Sequence, residues 1–516
     1  MNPTICWLVF SLFVAFCRAQ KPCNLRTISS GFSICVCNSS YCDEIEQIGS
    51  LSNGQGALYY TSQSGAKLKK TPLSTVRARP DGSALLTLDS SKKYQKMMGF
   101  GGAFTDAAGI NFASLPPEMA DTVIRQYFSK DGLGYTIGRV PVASCDFSAR
   151  KYSYDDTDQD FALNNFNLTN EDFQYKIPYI QKAISYSNNT LKLFGSPWSP
   201  PGWMKTNGDM KGGGQIKGDI NGTYYQTWAQ YFIRFFEEYH KNGIDFWGIT
   251  IQNEPTTGQF DWWMWQTCLF TPEMQRDFIK NIFGPVTMAS PYAKDVKLMI
   301  LDDNRGNIQE WSDKILSDPD AAKYISGIAV HWYQNQGIGP QPLTDTHNKW
   351  PDYWILATEA CNGWDQGQHT VILGDWGRGA AYAYDIITDI QNWVTGWTDW
   401  NMALDLQGGP NWVMNFVDAP LIVNASANEF YKQPMWHVMG HFSKFVPVDS
   451  YRIDANWDNG SNNTIAVGFL NPDGTRTAVI LNQNVPTTIA INEATNQNNY
   501  YTFTMEANSI ATLVFR

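Results

Sequence analysis

Eight short apolar runs, separated by longer amphipathic stretches, constrain the fold of this chain more than any other feature. The runs lie at 99–102, 135–141, 191–195, 246–251, 296–301, 325–330, 354–358 and 394–399. Between them the apolar spacing becomes helical. Residues 117–128 open with Pro117, whose missing N–H costs nothing in a first helical turn. Residues 172–186 follow the second run. Residues 224–240 place Trp228, Tyr231, Phe232 and Phe235 along one face. Thr271 caps a further helix with Pro272 at its first position, and 378–393 precedes the eighth run. Consecutive parallel strands need helical crossovers, and eight strand–helix units over about 300 residues predict a (β/α)8 barrel in an α/β protein.

The ends of the chain follow another rhythm. From about residue 450 short alternating runs are split by Asn, Asp, Gly and Thr, and Pro472-Asp473-Gly474 marks a hairpin. This predicts an all-β sandwich, which the strand-like stretches within 55–95 join. A chain of 516 residues with 43% apolar residues has room for a barrel and such a companion. Its formal charge is −11, and no basic stripe is present, which argues against a nucleic-acid partner. The 20 Trp residues are numerous enough to suggest sugar stacking by a few of them, with core packing for most.

The apolar stretch from Ile5 to Cys17, followed by Arg18-Ala19-Gln20, reads as an export signal rather than a membrane span. Of nine cysteines, Cys6 and Cys17 leave with that signal. Cys23, Cys35, Cys37 and Cys42 crowd together and predict two disulfides, with three pairings open. Cys145, Cys268 and Cys361 are expected to be free and buried. Glycosylation sequons at Asn38, Asn167, Asn188, Asn221, Asn424, Asn459 and Asn462 agree with export.

In a parallel barrel the reacting groups stand where strands end. Asn253-Glu254-Pro255 closes the fourth run and Glu359 closes the seventh, so both carboxyl groups can face one mouth. Two such groups about 5–5.5 Å apart suit a retaining glycosidase, one as acid and base and the other as nucleophile. Metal chemistry has little support: the six His form no HExxH pair, and His331, at the end of the sixth run, reads as a hydrogen-bonding support. No Gly-x-Ser-x-Gly elbow is present, and residues 99–102 lack the Lys of a phosphate loop. Neither a metal nor an organic cofactor is predicted. Phe260, Trp262, Trp263, Met264 and Trp265, just past Glu254, form either an apolar rim for a membrane-borne substrate or a buried cluster.

Longer motifs carry a family resemblance. Gly99-Phe-Gly-Gly-Ala-Phe-Thr-Asp-Ala-Ala108, Arg139-Val-Pro141, Ala143-Ser-Cys-Asp-Phe-Ser148 and Ser196-Pro-Trp-Ser-Pro200 occur in order. They are followed by Leu301-Asp-Asp303, Ala329-Val-His-Trp-Tyr333, Gly396-Trp-Thr-Asp-Trp-Asn401 and Gly408-Gly-Pro-Asn-Trp412. From Cys23 to the C-terminus the chain resembles glycoside hydrolase family 30. The resemblance implies hydrolysis of glucosylceramide at a membrane surface, with Glu254 as acid/base and Glu359 as nucleophile. It implies that Asn253 binds the 2-hydroxyl, that Asp146, Trp198 and Trp400 hold the glucose, that Arg139 orders the carboxylates and that Asn415 lines the mouth. It further implies the pairings Cys23–Cys35 and Cys37–Cys42. The implied layout is a signal at 1–20, a small disulfide-bearing β domain at 21–50 with parts of 402–433, a sandwich from 51–94 and 450–516, and a barrel at 95–449. A lysosomal destination, a saposin-type activator and a sorting receptor are family expectations, with secretion as the alternative destination. The segment 256–266 and Asn362-Gly-Trp-Asp365 depart from the vertebrate pattern, so aglycone contacts are not carried over. Two alternatives stand beside this reading: a family-30 enzyme acting on xylan, β-1,6-glucan or a steryl glucoside, and an inactive glycolipid-binding protein.

Overall fold

The computed structural model describes residues 21–365, 370–458, 464–483 and 485–516. The export segment at 1–20 and the sequons at Asn459 and Asn462 lie outside these residues. The barrel strands are β1 (Gly99–Ala103), β2 (Ile137–Val142), β3 (Lys192–Pro197), β4 (Gly248–Thr250), β5 (Lys297–Asn304), β6 (Ile325–His331), β7 (Trp354–Glu359) and β8 (Val394–Asn401). Every neighbouring pair is parallel, and β8 closes the ring against β1. The helix at Pro117–Phe128 has the predicted bounds, and Trp228, Tyr231, Phe232 and Phe235 are buried on the inner face of Thr223–Lys241.

Two helices differ from a regular α pattern for one reason. Residues Asp172–Lys176 and Ile279–Phe283 form π turns, in which Ile177 and Gly284 donate to carbonyls five residues back. Each turn precedes a proline, Pro178 or Pro285, that has no N–H to give to the carbonyl four back. β4 is also shorter than the apolar run 246–251, because only Gly248, Ile249 and Thr250 find partners on β5 before the chain turns toward the mouth.

Inside the barrel, Ile137, Phe194, Met299, Ala329 and Leu356 form an apolar plug. Side chains alternate along a strand, so two residues further on the same inward direction recurs. On β2, β3, β6 and β7 those positions are Arg139, Ser196, His331 and Thr358, and a polar layer caps the plug. β5 breaks the alternation. Leu301 and Asp302 both have positive φ, the register slips between Leu301 and Asp303, and Asp302 takes the inward place.

Outside the barrel, Leu25–Ser29 and Phe32–Asn38 join Glu429–Lys432, Leu421–Asn424 and Ala403–Asp405 in a five-stranded sheet. Disulfides Cys23–Cys35 and Cys37–Cys42 brace its N-terminal edge. The strands at 55–62, 69–74 and 84–96 combine with those from 451 onward into a continuous nine-stranded ladder. It folds over one core that includes Leu58, Leu88, Ile453, Ile480, Ile491 and Leu513. Among the described residues no helix is long and apolar enough to cross a membrane.

Candidate active site

Arg139 is the hub of the polar layer. It is fully buried on β2, and its guanidinium donates to Asn253 Oδ1 at 2.8 Å, Asp302 Oδ2 at 2.9 Å, Ser196 Oγ at 3.2 Å and, at very close range, Glu359 Oε2. A planar fork of five donors can serve several acceptors without moving, which a lysine cannot. Asp302 is equally enclosed. Its oxygens accept from Arg139, from Thr250 at 2.7 Å and from Thr358 at 2.8 Å, and one faces His331 Nε2 at 3.1 Å. Burial alone raises a carboxyl pKa, but Arg139, His331 and Thr250 together hold Asp302 far below the usual carboxylate range. His331 has the reverse balance. Burial disfavours its cation, yet Glu359, Asp302 and Glu254 lift its pKa to about 10.

The two glutamates meet above this layer. Glu359 ends β7 with Oε2 on Arg139 and Oε1 accepting from Tyr333 Oη at 2.6 Å. Glu254 sits just past β4 in the left-handed region, at φ 43°. Its N–H donates to the Asp302 carbonyl and that of Asn253 to Pro197, both at 2.8 Å, so the strand-end turn is tied to both neighbouring strands. Backbone strain of this kind persists where the surroundings enforce it, and it aims the side chain at the mouth. Glu254 Oε1 stands 3.2 Å from His331 Nδ1. One carboxylate oxygen of Glu254, one of Glu359 and one nitrogen of His331 all lie within 4.8 Å of one another. Burial raises the Glu359 pKa, Arg139 and His331 oppose the rise, and Glu254 adds to it.

A triad this close could hold a cation in principle. Its chemistry points elsewhere: His331 as an imidazolium has no lone pair for a metal, and Arg139 already occupies Glu359 Oε2. Ion pairs at the mouth join two carboxylates (Glu359, Asp302) to two cations (Arg139, His331). A carboxylate held in this place stabilises a positive charge that develops beside it, such as that of an oxocarbenium ion.

The remaining predicted residues surround this pair. Trp198 and Trp400 stack on each other at 5.0 Å and 18°, and the Arg139 guanidinium lies 4.9 and 5.4 Å from their ring centres. Asp146 Oδ2 accepts from Asn415 at 3.0 Å and from Asn411 at 3.3 Å. Burial, with Glu359 and Glu254 adding to it, raises Asp146 to about 7 against the pull of Asn415. Gln266 donates to Ser144 Oγ and the Cys145 carbonyl and accepts from Trp412, linking the loops after β2, β4 and β8. Cys145, Cys268 and Cys361 are free and buried.

Several of these contacts were not assigned from sequence. Tyr333 lies two residues past His331 at the same strand end, a spacing that signals a shared direction. Asp302 could not be placed by alternation, because the bulge on β5 exchanges the inward residue. Asn411, Gln266 and Trp412 lie on loops without periodicity. The segment after Glu254 divides between its two readings: Trp262 is 69% exposed and Met264 53%, while Phe260, Trp263 and Trp265 are half-buried. Trp265 packs beside the Trp198–Trp400 cluster.

Comparison with known proteins gives the family of the chain. Residues 97–446 match the model of the glycosyl hydrolase family 30 TIM-barrel domain, and 449–513 match the family 30 beta sandwich domain. The chain is 49% identical to putative glucosylceramidase 4 of Caenorhabditis elegans over 100% of both chains. It is 44% identical to the lysosomal acid glucosylceramidase of Mus musculus, covering 93% of this chain and 94% of the mouse protein. Among solved structures, SrfJ from Salmonella typhimurium superposes with a TM-score of 0.82 at 28% identity, covering 90% of this chain and 99% of SrfJ. The chain belongs to glycosyl hydrolase family 30.

Proposed function

We propose that this protein hydrolyses glucosylceramide to glucose and ceramide with retention of anomeric configuration. The observation that carries the reading is the approach of the Glu254 and Glu359 oxygens to within 4.8 Å across one mouth. That spacing leaves no room for a water between sugar and carboxylate, so the second group attacks the anomeric carbon itself. Glu359, oriented from two sides by Arg139 and Tyr333, is the nucleophile. Glu254 gives its proton to the glycosidic oxygen as the bond to ceramide breaks, then takes a proton from the water that releases glucose. Asn253, fixed by Arg139, binds the 2-hydroxyl, and Asp146, Trp198, Trp400 and Asn415 hold the rest of the ring. In acid Asp146 carries a proton, so it can donate one hydrogen bond to a sugar hydroxyl while accepting from its asparagines.

The lipid aglycone is supported by the exposed Trp262 and Met264, joined by Met414 at 75% exposure on the loop that also carries Asn415. A further sugar ring could stack on Trp262, but the two exposed methionines beside it suit a flexible hydrocarbon chain better than a polar ring. This matters because an endo-1,6-beta-D-glucanase of Trichoderma harzianum is 28% identical over 83% of this chain. The name of the mouse relative supports a lysosomal destination. A saposin-type activator and a sorting receptor fit that setting. Proton NMR of glucosylceramide hydrolysis tests the reading: β-glucose appears first, and Glu254→Gln slows turnover by about 10²–10⁴-fold. Release of α-glucose first, or cleavage confined to β-1,6-glucan, would refute it.

A further inference from the structure

The loop after β2 carries aspartates at positions 155, 156, 158 and 160, and two of them face each other. Asp155 is 2% exposed, and its buried Oδ2 has no donor in reach. The group beside it is the Asp160 carboxyl, which stands in hydrogen-bonding range. Two carboxylates offer each other only lone pairs, so this contact needs one proton between them. The other hydrogen bonds decide which of the two carries it. Asp160 Oδ2 accepts from the Asn165 N–H at 2.8 Å and from Asn165 Nδ2 at 2.9 Å, and the Asn164 N–H serves the same carboxyl group. Asp155 has the Thr157 N–H, at 3.1 Å. Donors favour the charged form, so Asp160 stays ionised and Asp155 takes the proton. Burial, with the Asp160 charge adding to it, raises Asp155 to about 6 against the Thr157 N–H.

The surrounding charges leave the pair to itself. Asp156, on the same loop, accepts from Ser153 Oγ at 2.6 Å and adds to the negative charge, while Asp158 is exposed. Arg150 and Lys151, at the start of the loop, are committed to Glu171 and Asp209. The helix Thr223–Lys241 presents Tyr231, whose Oη accepts from the Tyr154 N–H at 2.7 Å, and Arg234, which pairs with Glu237 and Glu238. The loop after β3 presents Trp203, whose Nε1 donates to the Asp155 carbonyl at 2.9 Å, and Lys217, which donates to the Trp203 carbonyl at 2.8 Å. Among the described residues neither Asp155 nor Asp160 has a cationic partner. The same stretch of backbone is strained. Gln159 (φ 59°) and Leu163 (φ 52°) are left-handed without being glycine, and Phe161 packs edge-on against Trp203 and Tyr224. Such backbone persists only while its surroundings hold it.

We propose that Asp155 and Asp160 form an acid-closed latch, in which one shared proton holds the loop after β2 against the loop after β3 and its loss at neutral pH lets residues 155–166 open. In acid, the protonated Asp155 donates to the Asp160 carboxylate. As pH rises the proton leaves, two negative charges face each other where little water reaches, and Gln159 and Leu163 relax. The folded pKa lies above the unfolded value of about 3.9, so the contribution of the latch is full below that value and is lost as pH rises through about 6. The bond from Trp203 to Asp155 goes with it, so the loop after β3 loses a brace outside acid.

Hydrogen–deuterium exchange of the full-length protein tests this, read as protection factors so that the intrinsic effect of pH divides out. Peptides within 155–166 are expected to lose about tenfold in protection between pH 5 and pH 7.5, the ratio that a rise from about 3.9 to about 6 gives. In Asp155→Asn the side-chain amide donates to Asp160 at either pH, so that fall is expected to vanish while peptides of β2 exchange as they do in the unaltered protein. Asp155→Ala, with a cooperative thermal transition to show that it is folded, is expected to exchange at pH 5 as fast in this segment as the unaltered protein does at pH 7.5. Protection of 155–166 that does not change with pH, or a fall in Asp155→Asn as large as in the unaltered protein, overturns the proposal. None of these results bears on the glucosylceramide reaction.

Discussion

At the scale of single residues, the mouth is a problem of keeping one glutamate ionised in a buried place. Burial and Glu254 push the Glu359 pKa up, and Arg139, His331 and the Tyr333 hydroxyl pull it down. The nucleophile must be ionised, so the acid limb of kcat/KM follows its raised pKa and lies above the ordinary glutamate value of about 4.3. Tyr333→Phe removes one of the groups that lower it. The limb should therefore move to higher pH, and kcat/KM at the optimum should fall about 10-fold or more, the usual worth of a hydrogen bond to a charged group. Arg139→Lys keeps a charge but not the fork, and should lose more, because Asn253 and Asp302 are released together. A limb that stays in place in Tyr333→Phe contradicts the assignment of Glu359.

At the scale of elements, the strands fix the pair and the loops fix the leaving group. The segment after Glu254 begins with a tight turn at Pro255–Gln259, where a Cβ on Gly258 would lie 2.0 Å from the Leu269 nitrogen. The loop is thereby closed on itself, and its tip carries Trp262 and Met264 into solvent. Replacing both with Ser should impair hydrolysis of liposomal glucosylceramide at least about 100-fold while leaving a soluble aryl glucoside within about two-fold, since each buried apolar side chain is worth about 1.5–3 kcal/mol at an interface. Equal loss on both substrates counts against a lipid-facing rim. The barrel was legible because eight apolar runs and their crossovers are set by local periodicity. The strand-end glutamates were legible for the same reason. Asp302 was hidden by a bulge that depends on two consecutive left-handed residues. The π turns were hidden because a proline near a helix start normally signals an ordinary N-terminus. The loops carry no period, so their exposure came only from the packed structure.

At the scale of the molecule, burial has biased the protein toward acid. Burial raises Asp146 to about 7 and Asp418 to about 6, the latter opposed by Arg378. A carboxyl whose folded pKa exceeds its unfolded value, about 3.9, binds its proton more tightly in the native state. Its contribution is fully present below the unfolded pKa and is lost as pH rises through 6 and 7. Asp302 works the other way: its depressed pKa stabilises the fold above about pH 4 and is lost in stronger acid. Thermal stability should thus peak near pH 5 and decline toward pH 8, as calorimetry across that range can check. A net charge of −11 at pH 7 shrinks over the same interval and reinforces the trend. The account turns on the proposed covalent step at Glu359. The most direct measurement is mass spectrometry of the protein after reaction with a cyclophellitol-type inhibitor. The account predicts a single adduct on the peptide that carries Glu359, absent in Glu359→Gln. A label on Glu254, or none on enzyme that still turns over substrate, would contradict it.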